Sequence, residues 1–296
     1  MLFRNLRLYK LSSKWPESEQ DLSDALANGE FTPCGSLSER SLGWEAPAPE
    51  LPDMFARRVA GADLIRLRHQ VRVLPAAAIS EALEDRLKEF EERTGEPATN
   101  KDKRELKEEV TTKLLPQALP KSSRMNGFYI AKDKLLGIDT ASDNEAERFL
   151  DQLRAAFGSL AAVPLAFSRP TGELLYSIFL GTGPDEFRIG RECRMQDPES
   201  PGSSVNWLQM DLADPAVRKH VREGLNIDRL GIEFDASLSL TLDTNNVLRK
   251  LKLLGLDSED DVPEESGLAK QDADFALTVG AVRRFVTALK SALSTG

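Results

Sequence analysis

Residues 62–75 read "ADLIRLRHQVRVLP" and predict the strand from which the rest of the fold can be worked out. Successive side chains of a strand point to opposite faces. One face would carry Ile65, Leu67, His69, Val71 and Val73, and the other Leu64, Arg66, Arg68, Gln70 and Arg72. The strand stops at Pro75, which cannot extend a ladder of hydrogen bonds. The first face is therefore predicted to join the core, while the second presents three guanidinium groups, called the arginine row below.

The arginine row belongs to an acidic chain. The 296 residues carry a formal net charge of −9, and 41% of them are hydrophobic, which allows one large domain or two to three smaller ones. A basic domain is the usual sign of a nucleic-acid-binding protein, but binding responds to the local field rather than to the total charge. The N-terminus lacks the apolar run of a signal peptide and no stretch is long enough to span a membrane, so we expect a soluble, cytoplasmic protein.

Two charged helices are predicted directly after the arginine row. Apolar residues recur at helical spacing over 76–93, "TGEP" breaks the pattern at 94–97, and a second helix runs from about Asn100 to Leu115. Both apolar stripes are narrow. The segment is therefore predicted to be a projecting helical hairpin rather than a core element.

The remainder of the chain predicts an α+β fold with mainly antiparallel sheets and flanking helices. Loops are expected at 31–36 and 43–53, and 171–202 shows no clear pattern. Strands are predicted at 2–11, 162–167, 205–210, 226–234, 237–243 and 246–254, and a β-hairpin is predicted at 127–141. Helices are predicted at 17–28, 142–158 and 214–223, and a final amphipathic helix ends the chain. An acidic loop, "DSEDD" (257–261), precedes that last helix.

The arginine row has the spacing to follow a phosphate backbone. Alternate strand residues lie about 6.7 Å apart on one face, and the phosphates of one DNA strand rise about 3.4 Å each. The planar guanidinium also matches phosphate better than an ammonium does. The alternative is a solvated strand face whose arginines pair with acids on a neighbouring strand.

A second basic region covers residues 101–124, with seven basic and four acidic side chains. At a spacing of four residues, acids are expected to neutralise some of these cations. The expected pairs are Lys101 with Glu105, Arg104 with Glu108, and Glu109 with Lys113. Lys103 and Lys107 have no acid three or four residues away, and Lys121 and Arg124 follow the helix in a predicted loop without one. These four cations favour an anionic partner.

Two further basic regions complete the pattern. Residues 246–254 place Lys250 and Lys252 on one face of a predicted strand and Arg249 on the other, and residues 4–14 contain four cations and no acid. Several separated basic regions in an acidic chain predict segregated charge, with one basic surface and an acidic remainder.

Signals for catalysis are weak. The sequence contains no phosphate-binding loop, dinucleotide-binding motif, nucleophile elbow or zinc-protease motif. Asp211 with Asp214, or Glu233 with Asp235 and Asp243, could hold the metal of a nuclease, or could be turn and surface acids. The sequence contains two cysteines far apart, Cys34 and Cys193, and two histidines, of which His69 is expected in the core and His220 at the surface. This set does not suggest a metal site. No catalytic residue, cofactor or metal is therefore expected.

Six short strings, in this order, resemble the family of the recombination-associated protein RdgC. They are "FTPCGS" followed by "GW", then "LKEEVTTKLLP", "GSLAAVPL", "LRKLKLL" and "DADFALTVGAV". The resemblance runs from Leu2 to the last helix, and the order of the strings makes it specific. In one place the chain departs from the family pattern, since Leu119 stands where the family carries a phenylalanine that is a plausible ring-closing contact.

The resemblance implies a non-enzymatic protein that forms a ring-shaped homodimer around duplex DNA and restrains RecA-promoted recombination in the nucleoid. Single-stranded DNA is a possible second ligand. It also implies three regions: a central one (1–75 and 125–170), a helical tip (76–124) and a C-terminal base (171–296). The expected DNA-contacting residues are Arg66, Arg68, Arg72, Lys103, Lys107, Lys113, Lys121, Arg124, Lys250 and Lys252. The expected dimer contacts are Leu115, Pro116 and Leu119.

Two other functions remain open from the residues alone. One is a metal-dependent nuclease that uses the carboxylates named above. The other is a protein-interaction module that docks on the recombinase through the apolar face of the last helix, which would otherwise pack in the core or in the dimer interface.

Overall fold

The computed structural model describes residues 2–200, 202–255 and 267–294. It divides into two units. The first contains residues 1–28, 46–66 and 126–296, and the second contains residues 29–45 and 67–125. The predicted acidic loop at 257–261 lies outside the described residues. The three regions expected from the family resemblance stay a prediction.

The predicted arginine strand is confirmed as β4, Ala62–Val73. Leu64, Ile65 and Leu67 are buried, but the face predicted as core loses its cover after Leu67: Val71 is only half-buried and Val73 is 45% exposed. Gln70, on the arginine face, is buried instead. The prediction of one apolar core face along the whole strand was therefore wrong for its second half.

The elements follow one another as an α+β fold. The strands are β1 Arg7–Leu11, β2 Arg40–Glu45, β3 Ala56–Val59, β4 Ala62–Val73, β5 Leu119–Ile130, β6 Leu135–Ile138, β7 Ala162–Pro164, β8 Phe187–Gln196, β9 Ser204–Leu208, β10 Asn226–Phe234, β11 Leu238–Asp243 and β12 Leu248–Leu253. The helices are α1 Glu19–Ala27, α2 Ala76–Thr94, α3 Asn100–Leu114, α4 Asp143–Phe157, α5 Thr171–Leu180, α6 Pro215–Arg222 and α7 Gly267–Ser294.

The strands form two sheets. One has the order β2-β4-β5-β6-β1-β7, with β3 paired to β4, and the other has the order β12-β11-β10-β8-β9. The strand pairs of known register are antiparallel, as predicted.

The core of the first unit is built around α7. Its predicted apolar face is buried, and the Phe285 ring lies 5.8 Å from that of Phe187 and 5.3 Å from that of Phe234. The six predicted positions Phe275, Val279, Val282, Val286, Leu289 and Leu293 all lie in this core. The face proposed as a docking surface for the recombinase is therefore covered by the chain itself.

The second unit contains α2 and α3. Leu106 and Val110 of α3 are buried, while no residue of α2, all of which is described, is fully buried. Arg86 of α2 and Glu109 of α3 form an ion pair at 2.9 Å. This sparse packing fits the narrow apolar stripes, and projection of the two helices stays a prediction.

Several elements were not predicted. Strand β2 begins at Arg40 and enters the predicted loop 43–53, because Gly43 allows residues 30 and 31 to approach closely: a Cβ there would lie 2.5 Å from the Phe31 Cα. Strand β5 begins at Leu119, where a loop was expected, and α5 and β8 fill the uninterpreted stretch 171–202. The predicted strand 2–11 begins only at Arg7.

Among the described residues, no helix combines the length and the apolar character that crossing a membrane requires.

Candidate nucleic-acid interface

The first two members of the arginine row are engaged by neighbouring side chains. Arg66 Nε donates to Asn126 Oδ1 at 2.9 Å. The Arg68 guanidinium donates to Ser122 Oγ at 3.1 Å, lies 3.6 Å from Glu45 and stacks 4.3 Å above the Phe31 ring. Both side chains are half-buried. Arg68 thus lies beside an acid on the neighbouring strand β2, as the alternative predicts, whereas Arg66 binds an amide; phosphate contact by either residue stays a prediction.

Arg72 binds backbone carbonyl groups. Its guanidinium donates to the oxygens of Ala118 at 2.8 Å, Gly35 at 3.1 Å and Cys34 at 3.4 Å. Substituting Arg72 would remove a donor from each of these carbonyls, so loss of DNA binding in such a variant could reflect a distorted fold. The arginine row is therefore a poor first target for testing an interface.

Arg124 was predicted to lie in a loop without an acid nearby, and this was wrong on both points. It lies on β5 and donates to Glu45 Oε2 at 2.8 Å and Oε1 at 3.1 Å. The hydrogen bond that Arg124 donates to Glu45 raises the pKa of Arg124. Glu45 on β2 thus holds both Arg68 and Arg124, and neither pairing, the second across 79 residues of sequence, is visible in a local pattern.

Four exposed lysines in the second unit differ from the arginines. Their ammonium groups form no ion pair or hydrogen bond with any residue that the structure describes. They are Lys103, Lys107 and Lys113 on α3 and Lys121 on β5, and we refer to them as the exposed lysines.

The expected helix pairs around the exposed lysines are confirmed in two of three cases. Lys101 pairs with Glu105 at 3.8 Å and Arg104 with Glu108 at 3.3 Å. The expected pair of Glu109 with Lys113 was wrong, because Glu109 binds Arg86 of α2 instead. Lys113 is thereby left without an acid among the described residues.

Strand β12 does not alternate as predicted. Thr241 of β11 is opposite Arg249 and Ser239 is opposite Lys252, so β12 has one extra residue between these pairs. Lys250, with a φ of 53°, lies at this bulge. Arg249, Lys250 and Lys252 consequently share the solvent face, while Leu248 and Leu251 are buried on the other. The predicted separation of Arg249 from the two lysines was wrong.

The solvent face of the second sheet contains a pocket that the sequence did not predict. Its volume is about 120 Å³. Four cations and one carboxylate line it, namely Arg194, Arg229, Arg249, Lys250 and Glu192. Arg194 lies in the stretch that showed no clear pattern, and the bulge brings Lys250 to the same face, so spacing alone could not assemble this set.

The three residues expected at a dimer contact differ in exposure. Leu115 is buried at 5% exposure, whereas Leu119 is 80% exposed and Pro116 is also exposed. Leu115 therefore packs within its own chain, and its contact with a second copy, like that of the other two, stays a prediction.

Three of the five carboxylates suggested for a nuclease, Asp211, Asp214 and Asp243, have structural partners. Asp214 caps α6 by accepting from the Ala216 N–H, and Asp211 accepts from the Ala213 N–H. Asp243 accepts from the Val247 N–H at 2.9 Å and from Arg249 at 3.1 Å. In the described part of the chain, no three His, Cys, Asp or Glu residues are grouped so that they could hold a metal ion.

The cysteines and histidines have ordinary surroundings. Both cysteines are free; Cys193 is buried and Cys34 is half-buried. His69 and His220 are half-buried too, which corrects the expectation of a core and a surface histidine. The His220 ring lies 5.5 Å from that of Trp207.

Comparison with known proteins supplies the family. A family model described as "Putative exonuclease, RdgC" matches residues 1–295. The chain belongs to the RdgC family. It is 36% identical over 287 residues to the recombination-associated protein RdgC of Pseudoalteromonas atlantica, covering 96% of this chain and 95% of that relative. The RdgC proteins of Shewanella denitrificans and Tolumonas auensis are each 29% identical and cover 99% of this chain and 98% of their own lengths. The resemblance stated from the sequence is thus confirmed.

Proposed function

We propose that this RdgC-family chain binds DNA, mainly duplex and without sequence preference, as a ring-shaped homodimer that encloses the DNA and restrains RecA-promoted recombination in the nucleoid. It acts by occupying DNA rather than by catalysis. The exposed lysines carry the proposal, because four ammonium groups without an acid partner in the described structure remain available in a chain of net charge −9. The name of the relatives, recombination-associated protein, supports the same process.

The chemistry of the exposed lysines favours contact with the backbone of DNA. A lysine presents a mobile point charge and neutralises a phosphate regardless of the adjacent base. Each neutralised phosphate releases counterions. A plot of log affinity against log salt concentration therefore has a slope of about −0.9 for each phosphate that the protein neutralises. Binding should therefore be steep in salt and indifferent to sequence.

The test compares two double variants of α3. K103Q/K107Q removes two exposed lysines that lie one turn apart, whereas K101Q/R104Q removes two cations that already pair with Glu105 and Glu108. Both variants lose the same formal charge from the same helix. Fluorescence anisotropy of a labelled random-sequence duplex across a salt series gives the affinity and its salt slope.

We expect K103Q/K107Q to lower the slope by about 0.9 for each phosphate that is no longer neutralised, and K101Q/R104Q to change it much less. Equal slopes for the wild type and K103Q/K107Q would overturn the assignment of these lysines. Absence of binding at low salt would overturn the function itself.

The word exonuclease in the family description names a second candidate. Purified protein is incubated with Mg²⁺ or Mn²⁺ and end-labelled linear duplex, or with supercoiled plasmid. Shortened or nicked DNA that persists through the last purification step would require replacing our proposal with an enzymatic one.

A further inference from the structure

The pocket on the solvent face of the second sheet has the features of an anion site. Arg194 on β8 and Arg229 on β10 are direct cross-strand partners. Like charges placed opposite each other destabilise a sheet unless something neutralises them. Asp228 lies 3.4 Å from Arg194 Nε, but that nitrogen, although buried, makes no hydrogen bond within the described structure.

Arg229 is the least satisfied cation of the pocket. It is half-buried, and its guanidinium has no hydrogen bond or ion pair with the residues that the structure covers. An arginine in this setting has given up part of its hydration without gaining a hydrogen bond, and the charge of Asp228 offsets this only from beyond ion-pair distance. An anion in the pocket would supply the missing acceptors.

Carboxylates hold the two other cations in place. Lys250 Nζ donates to Glu192 Oε2 at 2.5 Å, and Thr241 donates to the other oxygen of the same carboxylate. Hydrogen bonds from Lys250 and Thr241 outweigh burial and lower the pKa of Glu192, so it stays charged at neutral pH. Asp243, only 6% exposed, holds the Arg249 guanidinium at 3.1 Å. The cationic wall is therefore positioned in advance.

A glycine lets Glu192 pack closely beside the pocket. Gly231 lies on β10, two residues after Arg229 and opposite Thr241 of β11. Glu192 covers this glycine so closely that a Cβ at position 231 would lie 3.0 Å from the Glu192 Cγ. A side chain at position 231 would press on Glu192, the carboxylate that holds Lys250. The remaining volume of about 120 Å³ accommodates several water molecules, or one tetrahedral anion.

We propose that Arg229, Arg249, Lys250 and Arg194 form a binding site for one phosphoryl group. Guanidinium groups match phosphate oxygens with paired hydrogen bonds, and the four cations lie on three strands of one sheet, β8, β10 and β12, and line one pocket. The site uses none of the exposed lysines, so it stands whether or not those lysines bind DNA. The phosphoryl group can belong to a DNA strand or to a free phosphate compound.

Inorganic phosphate is the first probe. We compare thermal unfolding in sodium phosphate with unfolding in sodium chloride at equal ionic strength, and measure phosphate affinity by calorimetry. A ligand that binds the native state raises its unfolding temperature. The key variant is R229Q, which removes the guanidinium without breaking any described side-chain contact.

The matched control is R188Q. Arg188 lies on the same strand and the same face as Arg194, opposite Glu233, but is exposed and outside the pocket. We expect R229Q to weaken phosphate binding about ten- to a hundredfold and R188Q to leave it unchanged. Should R229Q fail to fold, R229K retains the charge but not the fork, and we expect it to bind phosphate more weakly than the wild type.

Three outcomes overturn the site: no phosphate-specific stabilisation of the wild type, equal phosphate affinity in R229Q, or equal losses in R229Q and R188Q. DNA titrations of the same variants assign the source. If the phosphoryl group belongs to DNA, R229Q weakens duplex binding and phosphate competes with duplex in the wild type. If it belongs to a free compound, R229Q loses phosphate affinity while duplex affinity is retained. DNA binding that survives loss of the site leaves the proposed function intact.

Discussion

At the scale of single residues, burial decides the chemistry of the two thiols. Cys193 is buried, and burial raises its pKa to about 12 from an ordinary value of 9.0. Only the thiolate reacts with alkylating reagents, and a shift of three units lowers its fraction about a thousandfold. Cys34 is half-buried on the second unit and reaches solvent more readily.

We therefore expect iodoacetamide to modify Cys34 in the native protein and Cys193 only after unfolding. Mass spectrometry of timed samples measures both reactions. C34S should leave no thiol that reacts faster than the protein unfolds. Fast labelling of Cys193 in C34S would mean that the second sheet opens in the native state.

Asp139 is the residue from which a dependence of stability on pH is expected. Its carboxylate accepts from the backbone N–H groups of Arg4 at 2.9 Å and Asn5 at 2.8 Å, but burial raises its pKa above the ordinary 3.8. The folded state therefore binds the proton more tightly than the unfolded state does. The contribution of Asp139 to stability is largest below the unfolded pKa and falls as pH rises through the folded pKa.

We expect D139N, which keeps an acceptor for both N–H groups, to remove this fall. The measurement is the free energy of unfolding in urea at several pH values from just below 3.8 to neutrality, for wild type and D139N. Relative to the wild type, D139N should gain stability with rising pH. A difference that does not vary with pH would show that Asp139 titrates alike in both states.

At the scale of elements, α7 holds the core of the first unit. Phe285 is fully buried between Phe187 and Phe234, whereas Leu277 on the same helix is 50% exposed. Removing a buried phenylalanine side chain costs about 3–5 kcal/mol, and most surface changes stay within about 0.5 kcal/mol. We expect F285A and L277A to differ in this way in urea unfolding monitored by circular dichroism. Similarly small losses of stability in F285A and L277A would mean that α7 is peripheral to the core.

Periodicity explains which elements could be predicted. The alternation of β4 and the helical spacing of α7 are carried by local sequence, and both were found. The first part of β5 was missed because Pro120, Ser122 and Ser123 give it no apolar alternation, whereas its end was predicted as part of the hairpin at 127–141; pairing with β4 extends the strand back to Leu119. The bulge at Lys250 was missed for the same reason, since register belongs to two strands together.

The candidate interface was predicted unevenly. Charge spacing along α3 identified Lys103 and Lys107 correctly as cations without acids, because helix neighbours are fixed by the sequence. The acid that Arg68 and Arg124 share, Glu45, lies on β2 and could not be found from local sequence, nor could the pairing of Arg194 with Arg229 across strands. Local pattern thus finds exposed charge on a helix, but not which strand cations are already paired.

At the scale of the whole molecule, the proposed ring makes dissociation depend on DNA topology. A closed ring leaves linear duplex by sliding off an end, but it leaves a circle only if an interface opens. Two copies related by a two-fold axis would place each Leu119 in a symmetric contact. Leu119 is 80% exposed in the single chain, so a second copy could cover it.

We expect wild-type protein loaded on a nicked circular plasmid at low salt to resist a salt challenge that strips it from the same plasmid after linearisation. High salt weakens phosphate contacts equally on both DNAs, so a difference reports enclosure alone. L119D should release equally fast from circle and linear duplex, since a charge in an apolar contact is unfavourable. L277D, at an exposed position on α7, is the matched control and should retain the difference. Equal release of the wild type from both DNAs would show that the protein binds beside DNA rather than around it, and the exposed lysines would then have to account for the whole affinity.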